Sequence, residues 1–122
     1  MTQGDEPAQA VTVYTTIAGE DAARDLASAL LEERLIACAN VFPVWSMFHW
    51  EGSVQSESEL VMLLKSTEDQ VPALMKRVPE LHPYEVPCVE VFRAMEVHPA
   101  FHQWLAKEAD GDAAKNEAPP RH

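Results

Sequence analysis

The chain has 122 residues and a mass of 13.6 kDa, enough for one compact domain and too little for a second core of ordinary size. At 47% hydrophobic and 24% charged residues it has the composition of a globular protein, which excludes global disorder. Nine Lys and Arg against twenty Asp and Glu give a formal net charge of -11, so nucleic acid phosphates and anionic membrane surfaces are not expected partners.

Residues 1–10 are polar and acidic, with neither the cationic start nor the apolar stretch of a signal peptide, and read as a flexible N-terminal segment. A cytoplasmic protein is expected. Val11, Val13, Thr15 and Ile17 then alternate with Thr12, Tyr14 and Thr16, a period-two pattern of β-branched and aromatic residues that predicts the first strand. Ala22, Leu26, Ala29 and Leu30 recur at helical spacing behind Glu20 and Asp21, with Arg34 at the far end, and predict a helix over residues 21–34. Residues 38–50, rich in Val, Phe and Trp, read as a long strand bent at Pro43 that enters a hairpin at Glu51 and Gly52.

Residues 59–65 form an unbroken apolar run between Glu59 and Lys65, the pattern of a strand covered on both faces. Its core of residues 60–64 is far short of the roughly 20 residues that span a bilayer, so no membrane association is expected. Thr67 with Gln70 three positions later has capping-box character, and Val71, Leu74, Met75 and Val78 give a second helix whose ends are blurred by Pro72 and Pro79. A last strand is predicted over residues 86–95, and a short closing helix with His98 at its cap and Pro99 at its first position. Residues 108–122 lack apolar periodicity and read as a disordered acidic tail, leaving residues 11–107 as the folded domain.

The order is α+β, a ferredoxin-like β-α-β-β-α-β sandwich with a short C-terminal helix, both long helices lying on one sheet face by right-handed crossovers. The first arm of the hairpin carries Trp45, Met47, Phe48 and Trp50, and so apolar an edge is an aggregation template unless another chain covers it. An obligate oligomer follows.

No phosphate-binding loop, dinucleotide fingerprint, nucleophile elbow or HExxH pattern occurs, and no nucleophile or oxyanion donor can be assigned, so an enzyme is not expected. His98 and His102 are four apart, but the cap position of His98 means that the two rings need not converge on a metal. His82, Tyr84 and Glu85 stand in a stiff segment bracketed by Pro83 and Pro87, either as a site or as a rigid connection bonded to backbone. Glu59 and Lys65 lie at even spacing on one strand face and either reach a shared, partly buried cleft or, as is commoner, stand as solvated charges at the ends of the strand. Cys38 and Cys88 read as small buried hydrophobes with reduced thiols.

Several pieces, in order and spacing, resemble the CutA divalent-cation-tolerance family. They are Ala37-Cys38-Ala39-Asn40, Trp50-Glu51-Gly52, the strand from Glu59 to Lys65, His82-Pro83-Tyr84-Glu85-Val86-Pro87, and Trp104. The resemblance implies a ferredoxin-like homotrimer, non-catalytic, without an organic cofactor, and linked to tolerance of divalent metal ions with weak binding of copper or another divalent ion. It marks His82 as the candidate metal ligand and Trp50, Glu59, Lys65, Tyr84 and Glu85 as the lining of a cleft between subunits. Thr15 and Leu81 stand where some bacterial members carry Cys and His, which depletes a soft-ligand copper site here. Two alternatives stay open: a small-ligand signalling module, by fold analogy with the nitrogen-regulatory PII proteins, or a purely structural trimer that binds an unknown protein partner.

Overall fold

The computed structural model describes residues 6–112. The expectations for residues 1–5 and 113–122 lie outside the described residues. The first strand, β1 (Ala10–Ile17), forms where the period-two pattern places it, and α1 (Glu20–Glu32) follows, with Glu20 and Asp21 in its first turn. Arg34 is not in the last turn of α1 as expected. It sits two residues past the helix end at φ 57, a left-handed position that usually favours glycine. There Leu35 N–H donates to the Leu30 carbonyl and Arg34 N–H to the Leu31 carbonyl, closing a Schellman-type end. The Arg34 guanidinium is thereby aimed across the molecule, where it donates to the carbonyl of Lys107 at 3.1 Å.

Strand β2 (Cys38–Trp50) takes Pro43 without breaking because it is an edge strand, where a missing N–H costs no ladder bond on its open side. A two-residue turn at Glu51 (φ 49) and Gly52 (φ 82) reverses the chain into β3 (Ser53–Thr67), which is longer than the run of residues 59–65 expected from apolarity. Positive φ at both central residues matches the right-handed twist of the flanking strands. The expected capping box is not made: no side chain caps the short 3-10 turn at residues 68–70, and the Thr67 hydroxyl donates to the Asp69 carboxylate instead. Helix α2 (Val71–Leu81) runs straight through Pro79, whose missing N–H falls in the last turn, and the His82 N–H closes it on the Val78 carbonyl at 2.9 Å.

Strand β4 (Glu90–Arg93) is much shorter than the expected residues 86–95, and α3 (Pro99–Glu108) begins as expected, with His98 Nδ1 accepting from the Ala100 N–H. The sheet order is β2-β3-β1-β4 with every pair antiparallel, so β1 and β3 are central and the β1–α1–β2 crossover skips over β3. Odd residues of β1 and even residues of β3 share one face, and Val13, Ile17, Met62 and Leu64 there pack with Leu26, Leu30, Leu74 and Val78 of α1 and α2 to form the core. This is the ferredoxin-like α+β arrangement.

Contacts continue beyond residues 11–107 at both ends. Ala10 is buried in β1, Gln9 accepts from the Glu68 N–H, and His102 Nε2 bonds the Ala8 carbonyl at 2.6 Å, so the chain is held before Val11. At the other end Ala109 is buried, and a Cβ on Gly111 would stand 2.9 Å from Gln70 Oε1, so packing continues past Lys107.

The hairpin outgrows the sheet. Strand β1 pairs only with residues 60–67 of β3, so residues 44–50 and 53–59 form a two-stranded ribbon with no third strand among the described residues. Such a ribbon is marginal in water by itself. Trp45 is 74% exposed on it, and Met47, Trp50 and Val54 are exposed as well.

Candidate functional site

The site sits on the sheet face turned away from α1 and α2, at the foot of this ribbon. Even residues of β1 and odd residues of β3 share that face, which brings Tyr14 and Thr16 beside Glu57 and Glu59. Residues 84–90 cross in front of them, and the space between is a cavity of about 670 Å³. Aromatic walls come from Tyr14, Phe48, Trp50 and Tyr84, and among the described residues every charged side chain on the lining is a carboxylate: Glu57, Glu59, Glu85 and Glu90.

Glu59 is only 8% exposed, and the Tyr84 hydroxyl donates to its Oε2 at 2.6 Å. A buried carboxylate needs such a donor. The Tyr84 phenol is pushed well above its ordinary range, first by burial, then by the bond to Glu59 and the charges of Glu59 and Glu57. Cys88 lies on the same lining, and its thiol is also raised, by burial and then by Glu90, toward which it points at 3.5 Å. It stays a thiol at neutral pH and is not the buried hydrophobe expected, being exposed. Cys38 is unpaired and partly buried, with its thiol raised by burial against an opposing pull from Lys65.

His82 supports this wall from behind. It is 7% exposed, its ring meets that of Tyr84 edge-on at 4.7 Å, and Tyr84 N–H donates to its Nδ1 at 3.1 Å. An Nδ1 that accepts leaves the proton on Nε2, which donates to the Thr16 carbonyl at 2.8 Å. The Thr16 carbonyl lies on β1 beyond its pair with Glu90, the first residue of β4, so the imidazole takes the place that the strand does not reach. As it stands His82 has no lone pair to give a metal, because both ring nitrogens are bonded to backbone. Among the described residues no group of three or more His, Cys, Asp or Glu side chains could hold a metal ion.

Of the residues singled out in the sequence, Trp50, Glu59, Tyr84 and Glu85 do meet on the cavity, with His82 beneath Tyr84. Lys65 does not. Six residues of extended strand carry it about 20 Å from Glu59, and its ammonium lies 5.9 Å from the ring of Phe101 on α3. His98 and His102 do not share a ligand, since one caps α3 and the other bonds Ala8. Tyr14, Thr16, Glu57, Cys88 and Glu90 were missed. The alternation of Tyr14 and Thr16 opposite the core residues was visible, as was the even spacing of Glu57 with Glu59. What was lacking was the partner strand that sets them side by side.

Residues 11–108 match the model of the CutA1 divalent ion tolerance protein family. The chain belongs to this family. It is 40% identical over 94 residues to the divalent-cation tolerance protein CutA of Thermus thermophilus, covering 76% of this chain and 91% of that one. With the protein of the same name from Pyrococcus horikoshii it shares 37% over 98 residues, 80% of this chain and 96% of that one. The crystal structure of divalent ion tolerance protein CutA1 from Ehrlichia chaffeensis superposes with a TM-score of 0.81 at 29% identity, covering 84% of this chain and 97% of that one. The family's match runs from β1 through α3 and so includes every wall of the cavity.

Proposed function

We propose that this chain is a non-catalytic, cytoplasmic homotrimer that acts in tolerance of divalent ions, copper among them, by binding them weakly in a cleft completed between subunits. The observation that carries the reading is the all-carboxylate charge of the cavity lining, which attracts cations and repels anions. Family membership supports the role in divalent ion tolerance. The bare ribbon and the unpaired edge of β2 support the trimer, because a second copy would cover Trp45 and Met47 and extend the sheet. A divalent ion takes four or more ligands, and the described residues of one chain do not gather three. The missing donors therefore come from a neighbouring copy, with Glu59 and Glu57 as oxygen ligands and His82 as the support that fixes Tyr84. Native mass spectrometry and calorimetric titration of copper and zinc into the full chain test this. The expected result is a trimer that binds either ion weakly and loses several-fold affinity in Glu57→Gln, with His82→Asn having no direct effect on stoichiometry. A monomer, or a trimer with no response to either ion, overturns the proposal.

A further inference from the structure

We propose that His82 is an acid-sensitive latch that ties residues 83–89 to β1 while neutral and releases them when protonated. The latch lies within the fold of one chain and does not depend on what the cleft binds. It follows from the way the chain leaves α2. His82 takes an extended conformation (ψ 137) ahead of Pro83, which stops the helix and has no N–H to place. The Tyr84 N–H is therefore the first amide after the helix that needs a new acceptor, and it finds His82 Nδ1 at 3.1 Å. On the other side of the ring, Nε2–H holds the Thr16 carbonyl at 2.8 Å.

An imidazolium carries a proton on both nitrogens and accepts at neither. Protonation leaves the bond to Thr16 in place and sets one N–H against another at Nδ1, in a residue only 7% exposed. His98 supplies the contrast within the same chain. Its Nδ1 also accepts from an N–H two residues on, that of Ala100, but His98 is exposed and water can replace the bond. At His82 the conflict is relieved only by moving Tyr84 away, which also takes its hydroxyl off Glu59. Of the carboxylates on the elements around the ring, Glu20 pairs with Arg24, Glu80 with Arg77 and Glu59 with the Tyr84 hydroxyl. Among the described residues neither these nor Glu85 makes a hydrogen bond or ion pair with the imidazole, so no counter-charge is set to hold an imidazolium in the closed form. The closed form thus binds one proton fewer than the open one, and falling pH favours opening. A solvated imidazole is neutral above about pH 6.5, so the latch is closed there and loosens as pH falls below it.

The experiment follows the imidazole nitrogens of the full chain by proton–nitrogen NMR from about pH 8 to about pH 5.5, spanning the histidine range. Exchange of the Tyr84 amide is read in the same samples and corrected for its intrinsic pH dependence. At the alkaline end His82 is expected to carry its proton on Nε2. As it gains the second proton, Tyr84 amide exchange should speed up about 10- to 100-fold, the range set by one buried donor left without an acceptor. His82→Asn keeps an acceptor beside the Tyr84 N–H and has no proton to gain, so its exchange should not respond to acid, whereas His98→Asn should leave the response intact. A proton on Nδ1 at the alkaline end, Tyr84 exchange that ignores His82 protonation, or an acid response that survives in His82→Asn overturns the proposal. The first two outcomes are read on the unaltered chain and decide the matter even if His82→Asn does not fold.

Discussion

Removing one hydroxyl, in Tyr84→Phe, isolates the bond that organises the cleft. The Phe ring keeps the edge-on contact with His82, and the backbone N–H that donates to His82 Nδ1 is untouched. What is lost is the 2.6 Å donation to Glu59, a carboxylate 8% exposed. A hydrogen bond to a charged group contributes about 1.5–3 kcal/mol, and the carboxylate left behind is buried without that donor. At about 4 °C per kcal/mol for a domain of this size, the thermal midpoint should fall by roughly 6–12 °C. The measurement is a thermal melt at fixed protein concentration, since the proposed assembly would make the midpoint concentration-dependent. In the Glu59→Gln background the acceptor is neutral, and the same Tyr84→Phe change should cost only about 1 kcal/mol. The difference between the two costs is the coupling that belongs to the charge. An unchanged midpoint in Tyr84→Phe, or an equal cost in both backgrounds, refutes the reasoning.

The raised Tyr84 phenol makes an alkaline prediction. The folded state holds the proton to higher pH than the unfolded chain, so this contribution is complete below about pH 10 and is lost as pH rises from there through the folded value. In a Tyr14→Phe background, ultraviolet titration should place the remaining phenolate transition above that of free tyrosine, and Glu59→Gln should lower it; a transition at the free value refutes the cause given. Thr15 is 0% exposed and its hydroxyl has no hydrogen-bond partner among the described residues, so Thr15→Val, which keeps the shape, should stabilise the protein by roughly 1 kcal/mol in denaturant unfolding. A loss of stability would show that the hydroxyl is satisfied in solution. At the hairpin turn, Glu51 holds φ 49, a conformation that Asn tolerates better. Glu51→Asn should gain about 0.5–1 kcal/mol by the same measurement, whereas Gly52→Ala should lose about 1 kcal/mol to backbone strain alone, because nothing lies within 4 Å of the added Cβ.

The elements written by side-chain period were legible, and those decided by neighbours were not. Alternation from Val11 to Ile17 gave β1, and the spacing of Leu26 and Leu30 gave α1, because each pattern buries one face whatever else the chain does. Strand β4 was overestimated since Val86 and Val89 look strand-like, yet the place beside Thr16 is taken by the His82 ring. The apolar run marked only residues 59–65 of β3, because residues 53–58, polar apart from Val54, pair only with β2. Arg34 was placed in a helix because a left-handed backbone at a non-glycine residue has no signature in one sequence.

In the cleft, the stiff Pro83–Pro87 bracket already pointed to His82, Tyr84 and Glu85, and the apolar run pointed to Glu59. Composition and periodicity alone determined the α+β class, the strand and helix order, the acidic character and an apolar hairpin. Which residues face one another across strands was decided only in three dimensions. Register is a relation between distant segments, and it joins Glu57 and Tyr14 on one cavity and sets the Thr16 carbonyl against His82 Nε2.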